Sequence, residues 1–171
     1  MFTIEDLQEV QSEKNNIFSP EKSRLSYEIS LMTGTERGVC AERLLYRRFV
    51  KDGWDVKHIG GPNSHDLEIV QDGHTYRIEV KLATYGVITK TINKTYYGYQ
   101  FRNVKPDLFD IIFFVFVTPD GVLVRWTARE EVRDWAYFKK EGPTGYTITA
   151  NKDRKIRNLD DSLLSMDDFC M

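Results

Sequence analysis

The most regular segment of the chain is residues 76–82, where apolar residues alternate strictly with Arg77, Glu79 and Lys81. A period of two is that of a half-buried β-strand, so Glu79 and Lys81 are predicted to share one face of it. The sequence therefore places one carboxylate and one amine next to each other on a single strand.

A second strand is predicted immediately before this one. Residues 66–70 form a short run that Asp66 opens, and Asp72-Gly73 between the two runs is a hairpin signal. A hairpin would lay the two strands side by side. We therefore expect Asp66 to converge with the acid and the amine of the longer strand at one end of the ribbon.

Other apolar runs supply the rest of a sheet. Residues 111–117 are continuously apolar, as in a strand buried on both faces, and this strand is predicted to be the centre of the sheet. A turn at residues 119–121 leads into a strand at residues 122–126. Two shorter strands are predicted at residues 54–59 and 146–149.

Helix signals occur on both sides of these strands. A helix is predicted from about Thr35 to Asp52, closed by Gly53. Thr127 and Glu130 form a capping-box pattern, which predicts a helix that continues to about Lys140. Start signals also predict two short helices within the first 33 residues, at Thr3 with Asp6 and at Ser19 with Pro20 and Glu21.

The length and composition fit one domain. The chain has 171 residues, of which 41% are hydrophobic and 29% are charged, enough for one core with little left for a second. We divide it into an N-terminal helical extension at residues 1–33, a core at residues 34–150 and a C-terminal tail at residues 151–171. Residues 83–105 are too long for a simple connection and are expected to be functional or to form a hairpin of their own.

Charge is unevenly distributed along the chain. The net charge of −2 argues against indiscriminate coating of nucleic acid. Residues 77–105, however, hold six basic residues and one acidic residue, a local charge of +5, and are rich in tyrosine. A local basic face is therefore expected on an acidic protein.

Cysteine and histidine spacing does not indicate a zinc site. Cys40 and Cys170 are far apart and lack C-x-x-C spacing, so no disulfide framework is indicated either. The histidines lack zinc-ligand spacing, and His58 and His74 are predicted to be surface residues. Because the N-terminus lacks a signal peptide and the longest apolar run is too short to span a bilayer, we expect a soluble, cytoplasmic protein with no membrane partner.

The first long helix carries an acid on its apolar face. The face of Glu42 is shared by four apolar residues, namely Val39, Leu45, Tyr46 and Phe49. A carboxylate there is costly unless it meets a cation, a metal or hydrogen-bond donors. Two interpretations are open: Glu42 belongs to a site with the strand acids, or it lies at the margin of the face and is satisfied by a neighbour such as Arg43 or Arg47.

The charged residues of the strands also have two interpretations. They form either an ordinary solvent face, with Asp66 capping a loop end, or one site. The triplet Glu79-Val80-Lys81 is a short pattern and weak evidence by itself. The order of elements is stronger evidence, since a helix with an acid is followed by a strand, an acid that opens the next strand, a hairpin, the triplet and an apolar central strand.

From about Thr35 to Glu130, the sequence resembles the PD-(D/E)XK nuclease superfamily. Asp66 corresponds to the first acidic position, Glu79-Val80-Lys81 to the (D/E)XK element and Glu42 to the helical glutamate of many members. One departure is His65, which stands where the namesake motif has proline. With Tyr99 to Arg102 and then Asp110 after the triplet, the pattern is most similar to small intron-associated homing endonucleases, followed by Holliday-junction resolvases and type II restriction enzymes.

This resemblance implies a fold, an activity and a cofactor. The fold is α/β, with a restriction-endonuclease-like core in which helices flank a mixed central β-sheet. The implied activity is Mg²⁺-dependent, site-specific cleavage of double-stranded DNA, with Mn²⁺ as a substitute metal. The implied catalytic residues are Glu42, Asp66, Glu79 and Lys81, and the metal ligands are Asp66, Glu79, the carbonyl of Val80 and Glu42, directly or through water.

Double-stranded DNA is the partner expected for the basic segment. The residues expected to bind it are Lys90, Lys94, Arg102 and Lys105 at phosphates, with Gln100 and Arg102 also able to read base edges. A homodimer or tetramer is expected, because one compact site cuts one strand and a symmetric pair cuts both. A Holliday-junction resolvase and a non-catalytic DNA-binding protein with a nuclease fold remain alternatives.

Overall fold

The computed structural model describes residues 28–29, 31–60, 65–92, 94–118, 121–134, 139–142, 145–150, 164–166 and 169. In these ranges the structure gives bounds for the α-helices α1 at Gly34–Lys51 and α2 at Arg129–Asp134, together with a 3₁₀ turn at Pro106–Leu108. In the same ranges, no helix combines the length and the apolarity needed to cross a membrane.

Ten strands are found in the described part of the chain. The first five are β1 at Asp55–His58, β2 at Leu67–Gln71, β3 at His74–Thr84, β4 at Gly86–Lys90 and β5 at Thr95–Val104. The others are β6 at Ile111–Thr118, β7 at Gly121–Ala128, β8 at Lys139–Gly142, β9 at Gly145–Ala150 and β10 at Leu164–Ser165.

The strands form two sheets. The main sheet has the order β1-β2-β3-β6-β7-β10 and is mixed, because β3 and β6 run parallel while its other neighbours run antiparallel. The second sheet has the order β4-β5-β9-β8 and is antiparallel. The predicted α/β class and mixed central sheet are therefore confirmed.

Strand β6 separates two hydrophobic cores. All of residues 111–117 are buried, as predicted for a central strand. Alternate side chains of a strand face opposite sides. Phe113 packs with residues of α1 in the first core, and Phe114 packs with Phe101 and Val132 in the second core. The sheet is thus covered by α1 on one face and by α2 with the second sheet on the other.

The predicted start of α1 and the predicted hairpin turn are both found. Thr33 caps α1 through a capping box, in which its hydroxyl accepts from the Glu36 N–H at 3.2 Å and the Glu36 carboxylate accepts from the Thr33 N–H at 2.9 Å. Asp72 and Gly73 join β2 to β3 with φ values of 50° and 79°. Positive φ at both central residues is what a tight hairpin turn requires.

Residues 83–105 contain the hairpin that their length predicted. Strands β4 and β5 pair with each other, and β5 extends the pairing to β9. The ring of Tyr99 packs edge-on against Phe116 of the main sheet, with ring centroids 4.9 Å apart. The hairpin is therefore held against the main sheet instead of projecting from it.

The helix predicted from Thr127 to Lys140 is wrong at both ends. Thr127 is buried in β7 opposite Ile112, so it belongs to the sheet ladder and does not cap a helix. Helix α2 is described at Arg129–Asp134, and Lys140 lies in β8 opposite Thr147 of β9. Pairing with β9 overrides the local preference for helix, which is weak over a few residues.

The ends of the chain contribute to the core. Leu164 and Ser165 form an edge strand beside β7, and Phe169 packs in the core under α1, so these residues do not form a tail. Near the N-terminus, residues 28, 29 and 31 are helical and Ile29 is buried. The two predicted N-terminal helix starts, at Thr3 and Ser19, lie outside the described residues.

Candidate functional site

The candidate site lies where β2 separates from β3. Their pairing ends at Leu67 and Ile78, and β3 continues without this neighbour. Asp66, just before β2, donates its N–H to the Ile78 carbonyl at 2.9 Å. Its carboxylate accepts the Val80 N–H at 2.7 Å. The side chain of Asp66 therefore takes the hydrogen bond that a strand partner would have made, which fixes the carboxylate at the open edge of β3.

Glu79 and Lys81 lie on one face of β3, as predicted. The Lys81 ammonium is paired with the Glu79 carboxylate. Glu79 is only 7% exposed, because its side chain faces the second core, where β3 pairs with β6 opposite Ile112. The interpretation of this face as an ordinary solvent face is therefore wrong.

The environment of Asp66 disfavours its charged form. Burial raises the pKa of Asp66 from 3.8 to about 7, and the negative charges of Glu79 and Glu42 act in the same direction. The hydrogen bond from Val80 and the charge of Lys81 lower the pKa and offset part of this effect. Asp66 is thus under the influence of two further carboxylates and one ammonium, so negative groups outnumber positive ones around it.

Glu42 reaches the site from α1 and is held by a histidine. Its carboxylate lies 2.9 Å from Nε2 of His58, the last residue of β1. The predicted neighbours Arg43 and Arg47 are not its partners. The pairing of Glu42 with His58 was not predicted from the sequence. The short connection from α1 to β1 was nevertheless a signal that these two elements pack together.

A cavity of about 540 Å³ joins these groups. Its floor includes Asp66, Val80 and Lys81, one wall is the first half of α1 as far as Glu42, and the opposite wall is the β4–β5 hairpin. Glu79 is not among the lining residues and lies behind Lys81. Three of the four predicted catalytic side chains therefore face the cavity, and the fourth contacts one of them.

The predicted DNA-binding residues divide into two groups. Gln100 and Arg102 line the cavity, where Nε of Arg102 donates to Oε1 of Gln100 at 2.8 Å. Lys94 and Lys105 are exposed away from the cavity, and the ammonium of Lys94 lies 5.0 Å from the centre of the Tyr96 ring. Lys90 ends β4, and its side chain lies outside the described part of the structure.

An ion-pair network fixes the start of β3 against β6. The carboxylate of Asp110 accepts from Nη2 of Arg77 at 2.8 Å, from Nε at 3.1 Å and from the Arg77 N–H at 3.0 Å. The Arg77 guanidinium holds the pKa of Asp110 below its usual range. Arg129 lies 3.4 Å from the same carboxylate. These contacts stabilise the parallel register that places Glu79 and Lys81.

The oxygen donors at the site suit a hard divalent cation. Among the described residues, no group of three or more histidine, cysteine, aspartate or glutamate side chains is arranged to hold a metal ion. Magnesium in enzymes is commonly held by one or two protein carboxylates with waters and substrate phosphates. Asp66, with Glu79 beside it and the Val80 carbonyl on the same strand edge, fits that requirement.

Comparisons with known proteins found similarity to solved structures but no match to a family model or a curated protein. A similar solved structure is that of a bacterial homing endonuclease, I-Ssp6803I, which is 16% identical in sequence. The superposition covers 74% of this chain and 84% of that chain, with a TM-score of 0.49.

Proposed function

We propose that this protein is a Mg²⁺-dependent endonuclease that hydrolyses phosphodiester bonds at specific sites in double-stranded DNA, as a homing or restriction-like enzyme. The observation that carries the proposal is the arrangement of Asp66, Glu79 and Lys81 at the open edge of β3. The Asp66 carboxylate accepts a backbone hydrogen bond and has a raised pKa. The Glu79 carboxylate is buried beside it, and the Lys81 ammonium reaches the same cavity.

Asp66 and Glu79 are the residues proposed to hold Mg²⁺, with the Val80 carbonyl as a further ligand and Glu42 through water. When bound, Mg²⁺ would polarise the scissile phosphate and lower the pKa of water. The Val80 carbonyl is expected to face the same open edge as its N–H, because both groups of a strand residue point to one side. Mn²⁺ is expected to substitute, since it also favours oxygen ligands.

Lys81 and Glu42 have separate proposed roles. The ammonium of Lys81 would orient the attacking water, favour loss of its proton and stabilise the negative charge that develops on the phosphate. Glu42 would hold a further water, and His58 would keep its carboxylate in place. Attack would then proceed in line, without a covalent intermediate on the enzyme.

The walls of the cavity support a nucleic-acid substrate. Arg102 and Gln100 present donor and acceptor groups that match base edges and phosphates, and both belong to the hairpin that faces the carboxylates. One such site would cut one strand, so cleavage of both strands requires two copies. We therefore propose a homodimer or a tetramer as the active form.

The test is cleavage of supercoiled plasmid and of a linear library of candidate sites with Mg²⁺. Lys81→Ala is expected to lower the cleavage rate by about 10² to 10³-fold while leaving DNA binding intact, because the ammonium acts on charge that develops in the transition state. Lys57→Ala, which changes an exposed lysine on β1, serves as the matched control. It is expected to cut like the native protein.

Other outcomes separate the alternatives. If the native protein binds duplex DNA but leaves every substrate intact with Mg²⁺ or Mn²⁺, and calorimetry detects no metal binding that depends on Asp66 and Glu79, the chain is a non-catalytic DNA-binding protein. If four-way junctions are cut in preference to duplex, it is a junction resolvase. Either result overturns the proposal of a site-specific duplex endonuclease.

A further inference from the structure

The cavity contains a cationic side chain, Arg37, that was not predicted from the sequence to belong to the site. It lies on α1, five residues before Glu42, and its half-buried side chain lines the same cavity as Asp66 and Lys81. Three cationic side chains line the cavity in the described part of the chain. Lys81 is paired with Glu79 and Arg102 with Gln100, whereas the guanidinium of Arg37 has no partner among the described residues.

In addition to the proposed metal ion, a cation that no carboxylate neutralises would favour entry of an anion into the cavity. Glu42 and Asp66 line the cavity, and Glu79 lies directly behind Lys81. A phosphate entering this space is repelled by the carboxylates, and the charge of Lys81 is already shared with Glu79. An arginine offers a phosphate two parallel hydrogen bonds from a rigid, permanently charged group.

The wall beside Arg37 leaves room for a polynucleotide backbone. Gly34 and Gly38 line the cavity on either side of it along α1. A methyl group on Gly34 would meet nothing within 4 Å, and one on Gly38 would meet only the Glu42 carboxylate at 3.6 Å. Packing among the described residues does not require either glycine, and none of these residues fills the space beside the two glycines, where a ligand could lie.

We propose that Arg37 binds a backbone phosphate of the cleaved strand, next to the scissile phosphate, and so positions that strand over Lys81. The inference rests on the proposed endonuclease function for its substrate. It adds a positioning residue that contacts a neighbouring phosphate and takes no part in the bond that breaks. A duplex polyanion is favoured over a small phosphate ester, because the cavity extends along the hairpin and has a second cation in Arg102.

The experiment measures binding of a fluorescein-labelled random duplex by anisotropy across a range of salt concentrations, with Ca²⁺ in place of Mg²⁺. Arg37→Ala is expected to weaken binding by about 10- to 100-fold, the range for a lost hydrogen bond to a charged group. It is also expected to reduce the slope of log affinity against log salt by about 1, since one phosphate contact is lost.

Arg43→Ala is the matched control. Arg43 is an exposed arginine on the same helix and does not line the cavity, so its loss is expected to leave the salt slope unchanged. Arg37→Lys is expected to retain the slope, because the charge remains, but to raise KM for cleavage, because the two parallel hydrogen bonds are lost. Arg37→Gln replaces Arg37→Ala if thermal unfolding shows that the alanine variant does not fold.

The inference and the proposed function fail in different ways. Equal salt slopes for the Arg37 and Arg43 variants overturn the inference, whether or not the native protein cuts DNA. A native protein that binds the duplex but never cuts it overturns the proposed function, while the slope of the Arg37 variants still decides the role of this residue. Absence of duplex binding by the native protein overturns both.

Discussion

Asp66 is the residue whose environment matters most to the proposed chemistry. Its carboxylate completes the hydrogen bonding of a strand edge and also lies beside two other acids. From the sequence, the spacing of Asp66 and Glu79 predicted that they would meet at one end of a hairpin. Burial of both carboxylates was not predicted, because the alternation of residues 76–82 indicates which side chains share a face and not which face is covered.

The raised pKa of Asp66 predicts a loss of stability as pH rises. Between pH 3.8 and about 7, the folded state keeps a proton on Asp66 that the unfolded state has released, so the free energy of unfolding falls as pH increases. Asp66→Asn removes this titration and still offers an oxygen to the Val80 N–H. We therefore expect the variant to gain stability over the native protein from about pH 4 to pH 8, by a few kcal/mol at most.

Urea unfolding at several pH values within that range measures the effect. Asp55→Asn, at an exposed acid of β1, provides the control, since surface substitutions usually change stability by about 0.5 kcal/mol or less. If the stability difference between the native protein and Asp66→Asn does not change with pH, the pKa of Asp66 is the same in the folded and unfolded states. That result would contradict the prediction.

At the scale of elements, the β4–β5 hairpin joins the second sheet to the site. Its strands were predicted as a hairpin or a functional segment because residues 83–105 are too long for a plain connection. The structure shows that the hairpin also forms a wall of the cavity. Which of its residues face the carboxylates depends on its pairing with β9, more than 40 residues later in the chain, and sequence periodicity carries no information on such distant pairs.

A pair of opposed glycines tests how tightly the hairpin is packed. Gly98 of β5 lies opposite Gly86 of β4. A methyl group on Gly98 would overlap the Ala150 carbonyl oxygen and the Ile88 side chain, whereas one on Gly86 would meet nothing within 4 Å. Gly98→Ala is therefore expected to destabilise the protein by about 1 to 3 kcal/mol, the usual cost of overpacking.

Gly86→Ala is the control for this prediction, because the same atom is added across the same strand pair. Its stability is expected to stay within about 1 kcal/mol of the native value. Thermal or urea unfolding measures both variants. If the two substitutions have the same effect, the close approach of β5 to β9 and to Ile88 is not part of the folded protein.

At the scale of the whole molecule, the C-terminal residues complete the first core, which α1 covers. The ring of Phe169 lies 5.0 to 5.6 Å, centroid to centroid, from four other rings, those of Phe49, Trp54, Phe113 and Trp126. These rings come from α1, the start of β1, β6 and β7. The last segment of the chain therefore packs against the face of the sheet that α1 also covers.

Loss of the Phe169 ring is expected to destabilise the whole domain. Phe169→Ala should lower the free energy of unfolding by about 3 to 5 kcal/mol, because a buried ring is replaced by a cavity. Tryptophan fluorescence during urea unfolding reports the change, since Trp54 and Trp126 both contact this ring. Ile92→Ala, at a fully exposed residue, should stay within about 0.5 kcal/mol. A similarly small effect for Phe169→Ala would contradict docking of the C-terminal segment.

The local features of this protein could be predicted from its sequence. Alternation predicted β3 and continuous apolarity predicted β6. The Asp72-Gly73 pair predicted the connection of β2 to β3, and the α1 boundaries were predicted to within one residue. These features depend on residues close together in the chain, whose conformational preferences act without the rest of the fold.

The contacts between distant groups, in contrast, depend on the assembled fold. It paired Glu42 with His58, buried Glu79, directed Arg37 into the cavity and docked Phe169 on the core. Each of these outcomes depends on packing between elements that are separated in the chain, where burial and charge are set by the assembled sheet and not by local pattern. The candidate chemistry could thus be predicted from residue order, and its electrostatic environment required the fold.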